Sequence, residues 1–310
     1  MYHGIINVYK EKGFTSHDVV AKLRGICKQK KIGHTGTLDP DAVGVLPVCL
    51  GSATKLCDML TEKEKEYIAV LKLGLVTDTQ DTSGTVLEES EVNVSIEEVR
   101  EAIMSFLGDY EQIPPMYSAL KVNGKKLYEL AREGKEVERA ARAVVIHELE
   151  ILEENMPEIT IRVRCSKGTY IRTLCHDIGK KLGCGGAMAS LIRSQSGIFT
   201  IKGAYKLEEL QKYADEGKLQ EVVIPIERMF EKLPKVIVKE EAFKGLKNGN
   251  QLKRGELIFP EEAPFESLQV KVEKEDSEVR IYSHEGIFYG VYAYDAKRKL
   301  FCPVKMFFQE

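Results

Sequence analysis

The sequence predicts an α+β protein built as one large domain followed by a smaller, strand-rich one. Three observations carry that prediction. Two hydrophobic periods coexist: Ile159, Ile161, Val163 and Cys165 alternate with Thr160, Arg162 and Arg164 as in a half-buried strand, whereas Val19, Leu23, Ile26 and Cys27 fall at helical spacing. Helix-start chemistry precedes helical stretches, as in Ser95-Ile96-Glu97-Glu98, a capping box before the inward-facing Val99, Ile103 and Phe106. From about Leu233 the pattern changes to short strand-like runs around Val236 and Val238, Val270 and Val272, Val279 to Tyr282, and Phe288 to Tyr294. A chain of 310 residues has room for both parts, and the change of pattern sets their bounds at 1–232 and 233–310.

Residues 4–9 read as an apolar strand, and Thr15-Ser16-His17-Asp18 caps the helix that carries Val19 and Leu23 inward. Residues 44–51 read as a buried strand, 52–60 as a short helix and 66–73 as a strand ended by Gly74. The polar segment 77–84 reads as a structural turn, because its acids lack the spacing of a calcium loop. Gly108 ends the helix begun at Ser95, a further helix spans 126–133, and Ser166 leads into the next. Residues 191–193 read as a strand end, 207–214 as an amphipathic helix, and Ile224-Pro225-Ile226 closes the large domain.

The formal net charge of −3 argues against a uniformly basic nucleic-acid binder. Local charge differs from that average. Lys22, Arg24, Lys28, Lys30 and Lys31 follow one another without an acid between them. Arg162, Arg164, Lys167, Arg172, Lys180, Lys181 and Arg193 make a second block opposed only by Asp177, while acids gather at 88–101 and 261–278. Such asymmetry fits a polyanion on one face, or else ordinary solvated charge. No apolar run reaches membrane length. Seven cysteines without a C-x-x-C pair point to free thiols, a cytoplasmic chain and no metal.

The densest chemistry lies at 31–44. Two glycines bracket His34 in a loop of little bulk, and Asp39 precedes a proline that biases it to an extended backbone. A carboxylate on a rigid turn backed by a buried strand suits a nucleophile; a capping aspartate in a glycine-rich turn reads the same. Tyr67, at the start of its strand, reads from composition as a strand-edge aromatic.

These residues resemble the catalytic motif of the bacterial tRNA pseudouridine-55 synthases (the TruB family), G-H-T-G-x-L-D-P-x-A-x-G. It is matched without a break at Gly33, His34, Thr35, Gly36, Leu38, Asp39, Pro40, Ala42 and Gly44. Other blocks are similar. Lys10, Gly13, Thr15, Ser16 and Asp18 keep the family's D-K-P-x-G-x-T-S-x-D, with departures at Tyr9 and Glu11. Lys65-Glu66-Tyr67 matches K-x-Y, and residues 112–121 match without a gap. Residues 166–173 match S-K-G-T-Y-I-R-T, and Leu191-Ile192-Arg193 stands where the family reads L-R-R. The resemblance extends over residues 4–199.

The resemblance implies a mixed central β-sheet flanked by helices, an active cleft across its middle, and a small C-terminal β-barrel of the PUA-like kind. It implies isomerisation of uridine 55 in the tRNA T-loop by an enzyme with catalytic Asp39, Tyr67 and Arg172. Arg172 would pair with Asp39, Tyr67 would stack on the target base and Tyr170 would contact it. Leu191 would line the pocket and His34 would fill the space the base leaves; with Lys10 and Gly33 these complete the substrate-binding set. A thumb at 112–142 would close on the T-stem and T-loop. Cutting and rejoining a glycosidic bond exchanges neither electrons nor phosphate, so no cofactor is expected, and the sequence carries no dinucleotide fingerprint or P-loop. A monomer without an obligatory protein partner is expected, because the thumb is present. Two rivals are a tRNA-folding chaperone that does no chemistry, and an RNA-binding module that needs a guide RNA and partner proteins.

Overall fold

The computed structural model describes residues 1–122, 124–260 and 276–308. The strand expected around Val270 and Val272, and the acids at 261–275, lie outside the described residues. In chain order the large domain holds strands β1 (Gly4–Lys10), β2 (Ile32–His34), β3 (Val43–Leu50), β4 (Lys65–Leu73), β5 (Leu75–Thr77), β6 (Val86–Glu89), β7 (Gly108–Gln112), β8 (Lys121–Val122), β9 (Lys125–Lys126), β10 (Arg142–Asn155), β11 (Glu158–Cys165), β12 (Gly186–Ser196) and β13 (Phe199–Thr200). Its helices are α1 (Ser16–Ile26), α2 (Cys57–Thr61), α3 (Ile96–Met104), α4 (Leu127–Arg132), α5 (Ile171–Leu182) and α6 (Leu207–Asp215).

The main sheet runs β1-β3-β12-β4-β11-β10-β7, with β2 on β3 and β13 on β12. It is mixed: β12 lies parallel to β3 and antiparallel to β4. Alternation does what it predicted in β11, where Ile159, Ile161, Val163 and Cys165 are buried against α3 and α5. β3 has no polar side because both of its faces are covered. Leu46, Val48 and Leu50 meet α1 and α6, whereas Val45 and Cys49 face the C-terminal domain. Capping boxes at Thr15 with Asp18 and at Ser95 with Glu98 start α1 and α3, and Gly183 ends α5 in the left-handed conformation.

Four local readings change. Gly33 and His34 belong to a short strand, β2, which gains its ladder from β3. Residues 52–60 form a 3₁₀ turn (Gly51–Leu56) followed by α2. Gly108 begins β7 instead of ending α3, which stops at Met104. Leu191 and Arg193 stand inside the eleven-residue β12 and not at a strand end.

The C-terminal part comprises β14 (Lys235–Val238), α7 (Phe243–Lys247), β15 (Leu252–Lys253), β16 (Leu257–Ile258), β17 (Glu278–Tyr282), β18 (Phe288–Asp295) and β19 (Leu300–Met306). Its sheet order is β15-β19-β18-β17-β14-β16. The two edge strands are joined by one short turn, so the sheet curls into a nearly closed barrel. Tyr282, Phe288, Val291 and Phe307 pack into one cluster with Ile5, Val45 and Leu56 of the large domain. Lys55 Nζ donates to the Met306 carbonyl at 2.8 Å, and Lys305 Nζ donates to the Lys55 carbonyl at 3.0 Å.

Gly44 is where the sheet's centre is tightest. Its φ is +108°, and a Cβ there would overlap the Arg193 carbonyl oxygen and lie 3.0 Å from the Arg193 nitrogen. Gly25, near the end of α1, has open space around it. Gly44→Ala should therefore destabilise the protein by about 2–4 kcal/mol, whereas Gly25→Ala should stabilise it by roughly 0.5–1 kcal/mol. Urea unfolding of both variants checks this; equal effects would contradict the packing argument.

Candidate active site

The loop from β2 to β3 is fixed from several sides. Thr35 donates its backbone N–H and its hydroxyl to the Pro47 carbonyl, at 3.1 and 3.2 Å. Leu38 N–H donates to Ser16 Oγ at 2.9 Å, and Gly13 N–H to the Pro40 carbonyl at 2.9 Å. Asp39 is left on a rigid turn with its carboxylate facing the cleft.

Lys10 lies under this turn, completely buried. Its ammonium donates to the carbonyls of Phe14 at 2.7 Å, Pro40 at 3.1 Å and Glu11 at 3.3 Å. An ammonium has three donors, and all three are taken. Lys10, which the resemblance places in the substrate-binding set, is thus a clamp on the Asp39 loop here, with its three donors on carbonyls. Burial brings its pKa down to about 8.

Arg172, on the first turn of α5, faces Asp39. Its Nε is 3.0 Å from Asp39 Oδ2, and Nη2 donates to Oδ1 at 3.4 Å. Its Nη1 donates to the Thr79 carbonyl at 3.1 Å and lies 3.7 Å from Asp81 Oδ2, and Nη2 donates to the Tyr117 carbonyl at 2.9 Å. The side chain of Arg172 is 7% exposed and that of Asp39 41%. Desolvation in the cleft raises the Asp39 pKa above its ordinary value, and Arg172 opposes that rise. Water still reaches part of the carboxylate, so the rise is that of a cleft and not of a core. The turn at 77–84, expected to be structural, holds the arginine through Thr79 and Asp81.

Tyr67 on β4 stands opposite Arg193 on β12 in the sheet register. Arg193 is 1% exposed; its Nε donates to the Val45 carbonyl at 2.7 Å and its Nη2 to the Gly36 carbonyl at 3.2 Å. Burial raises the Tyr67 pKa, and the neighbouring Arg193 charge opposes the rise. Leu191, Leu38 and the Tyr67 ring share one apolar cluster beside the carboxylate. Tyr170 caps α5, and burial raises its pKa too, opposed among others by Arg172.

His34 is half-buried and meets the His17 ring edge-on, with centroids 5.3 Å apart. Its Nδ1 accepts from Gly36 N–H at 3.4 Å, which leaves the other ring nitrogen to carry the proton. Burial first, then the charges of His17 and Arg193, lower its pKa and favour the neutral ring. Gly33 faces away from this group: a Cβ there would stand 3.1 Å from Cys57 Sγ, so close packing accounts for the glycine. Arg172, Tyr67 and Tyr170 are therefore gathered near Asp39, Leu191 packs in the cluster of Tyr67 and Leu38, and His34 lies on the Arg193 side, while Lys10 and Gly33 support the loop from behind.

Apart from the exposed Lys180 and Lys181, the second basic block is not a free cationic face. Arg162 pairs with Glu150 and Lys167 with Glu62, while Arg164 meets Glu64 at 2.8 Å and Glu148 at 2.7 Å. Those acids come from β10 and from the turn before β4. Arg193 and Arg172 are buried. Sequence reasoning missed Arg193, Asp81 and Gln112 as parts of the site. For Arg193 a signal existed: it lies two residues beyond Leu191, hence on the same face of a strand.

Residues 24–171 match the model of the TruB family pseudouridylate synthase N-terminal domain, and residues 172–231 match that of the tRNA pseudouridylate synthase B C-terminal domain. A protein of Lachnoclostridium phytofermentans named tRNA pseudouridine synthase B is 54% identical over 98% of this chain and 99% of its own length. One of the same name from Alkaliphilus oremlandii is 47% identical over 88% of this chain and 91% of its own. The chain belongs to the TruB family of pseudouridylate synthases. Among solved structures, a Cbf5-Nop10-Gar1 complex contains a chain similar to this synthase with a TM-score of 0.70 and 26% identity, covering 99% of this chain and 85% of that one. An H/ACA RNP bound to a substrate RNA containing 2'-deoxyuridine gives 0.69 and 25%, with 99% and 86% covered.

A catalytic role for Asp39 would require its carboxylate form, and turnover should then fall as pH drops through its raised pKa. The acid limb should then lie above the ordinary aspartate value of about 3.9. Single-turnover rates between about pH 4 and 8, with circular dichroism at each pH, check this. A limb at or below the ordinary value would show that Arg172 outweighs desolvation.

Proposed function

We propose that this synthase converts uridine 55 in the T-loop of tRNA to pseudouridine, acting in the cytoplasm as a monomer without a protein partner. The observation that carries the reading is the Asp39–Arg172 pair, 3.0 Å apart at the cleft and bordered by two tyrosines and an apolar patch. The names of the relatives above support the choice of substrate. Residues 1–232 make the catalytic domain, and residues 233–310 the PUA-like one.

The reaction breaks the bond between ribose C1′ and uracil N1, turns the base and joins C1′ to C5. The C5 proton is lost and N1 gains one, so atoms and electrons balance within the substrate. Asp39 supplies the carboxylate that this rearrangement needs. Arg172 aims it with two N–H groups. The base must leave its stack, at a cost of a few kcal/mol. Stacking against Tyr67 offsets roughly 1–3 kcal/mol of that, and the neutral His34 ring suits the vacated space.

Asp39→Asn keeps size and removes the charge, and an amide serves neither as nucleophile nor as base. Turnover on a T-loop stem-loop at saturating enzyme should disappear while affinity for the same RNA holds or rises slightly. Thermal unfolding measured alongside reports the loss of the Arg172 partner. Turnover near the parent's would remove Asp39 from the chemistry and favour the chaperone reading.

Lys28, Lys30 and Lys31 are exposed beside the β2 strand and, among the described residues, make no ion pair. Replacing all three with alanine should lower the slope of log affinity against log salt by about 2–3. An unchanged slope would make them a solvated surface only.

A further inference from the structure

The thumb leaves the sheet at one rung and returns to it there: Gln112, the last residue of β7, stands opposite Arg142, the first of β10. Gln112 is 1% exposed, and its side chain does not point into the thumb. Its Nε2 donates to the Tyr170 carbonyl at 2.9 Å, and its Oε1 accepts the Tyr170 N–H at 2.7 Å. The amide thus grips both backbone groups of one residue, as a neighbouring strand would. That residue caps α5 and is followed two positions later by Arg172. Five residues beyond Gln112, the Tyr117 carbonyl accepts from Arg172 Nη2 at 2.9 Å. The root of the thumb therefore touches the first turn of α5 twice, once at Tyr170 and once at the arginine that aims Asp39.

Further contacts hold the insertion: the Tyr117 hydroxyl donates to Asp78 Oδ2 at 3.4 Å, Arg139 donates to the Pro114 carbonyl at 3.3 Å, and Pro114, Pro115, Ser118, Leu127 and Leu130 are buried, whereas Ile113 is exposed. Among these ties, those at the root reach Tyr170 and Arg172 directly.

We propose that Gln112 is a positioning residue, the tie through which the thumb holds Tyr170 and Arg172 in the geometry that aligns Asp39. The inference rests on the functional reading above, since it concerns how that same site is set. Losing the tie should lower the rate of the chemical step much more than the affinity for RNA, because a misplacement of about 1 Å can cost roughly 100-fold.

The test uses the full chain and a T-loop stem-loop RNA. Gln112→Ala should lower the single-turnover rate at saturating enzyme by about 30- to 100-fold and leave the dissociation constant within about threefold. Gln112→Glu keeps the acceptor for the Tyr170 N–H and loses the donor to its carbonyl, so its rate should fall between those of Gln112→Ala and the parent. Exchange of the Tyr170 amide should quicken in Gln112→Ala. If that variant fails to fold, Gln112→Glu decides, being of the same size and shape. A rate within about threefold of the parent's in the deciding variant would overturn the proposal. So would equal losses of rate and affinity, which would make Gln112 a docking residue. A parent that binds the RNA but forms no pseudouridine would defeat the functional reading instead, and Tyr170 exchange, which needs no turnover, would still report the tie.

Discussion

Arg172 lies almost wholly out of water, and a guanidinium so placed costs the fold several kcal/mol unless its charge and its donors are answered. Three separated stretches answer it: Thr79 and Asp81 from the turn after β5, Asp39 from the loop before β3, and the Tyr117 carbonyl from the thumb. The Asp39, Thr79 and Tyr117 partners lie 133, 93 and 55 residues away in the chain. None can be supplied by a local segment, so the Asp39–Arg172 pair comes into being only when the sheet has placed β3, β12 and α5 together. That dependence makes the rigid elements the source of the site's precision, with the loops drawn taut between them.

The centre of the sheet shows how closely this placement is specified. β3 must meet β12 in parallel at Val43 and Gly44, and the glycine lets the Arg193 backbone come near enough for its side chain to run beneath the loop. From there Arg193 ties the Gly36 carbonyl and the Val45 carbonyl, opposite Tyr67 in the register. One buried side chain thus links the loop after β2 to the strand behind it, beside the Tyr67 ring. Lys10 does the same for the far side of the loop through Pro40. With the C-terminal barrel covering the other face of β1 and β3, the strands that carry these clamps are buried on both sides. The barrel accordingly has a structural part in the site, distinct from any contact of its own with RNA.

What could be read from the sequence divides along a physical line. The alternation in β11 and the capping boxes of α1 and α3 were legible because each depends on residues within a few positions of one another. Asp39, Arg172, Tyr67 and Tyr170 were legible as a set through their resemblance to a family motif; composition left Asp39 and Tyr67 ambiguous. The partners of the basic residues were not legible, since Arg164 finds Glu64 a hundred positions away. Charges that look unopposed along the chain can be neutralised across strands, as they are on β11. The clamping contacts of Lys10 were not legible either, because only the fold shows three carbonyls converging on its ammonium. β19 went unread because Pro303 and Lys305 interrupt its apolar pattern, although its ladder with β18 is long.

The clamps also set the electrical character of the cleft. Lys10, Arg172 and Arg193 are buried near Asp39 and Asp81, with Asp41 close enough to act on Lys10 and Asp39. Lys10 and Arg193 spend their hydrogen bonds on neutral carbonyl oxygens, which orient them without cancelling their charge. Such an arrangement is unfavourable for stability, since burial lowers the pKa of both Lys10 and Arg193. It is favourable for an anionic partner, because fixed positive charge in a poorly hydrated cleft acts over a longer range than the same charge on a wet surface. The same field opposes the desolvation of Asp39 through Arg172 and Lys10, keeping the carboxylate nearer to its charged form than burial alone would allow. The cost in stability and the readiness for a polyanion are therefore two results of one feature: Lys10 and Arg193 are held in place by backbone carbonyls and not by acids.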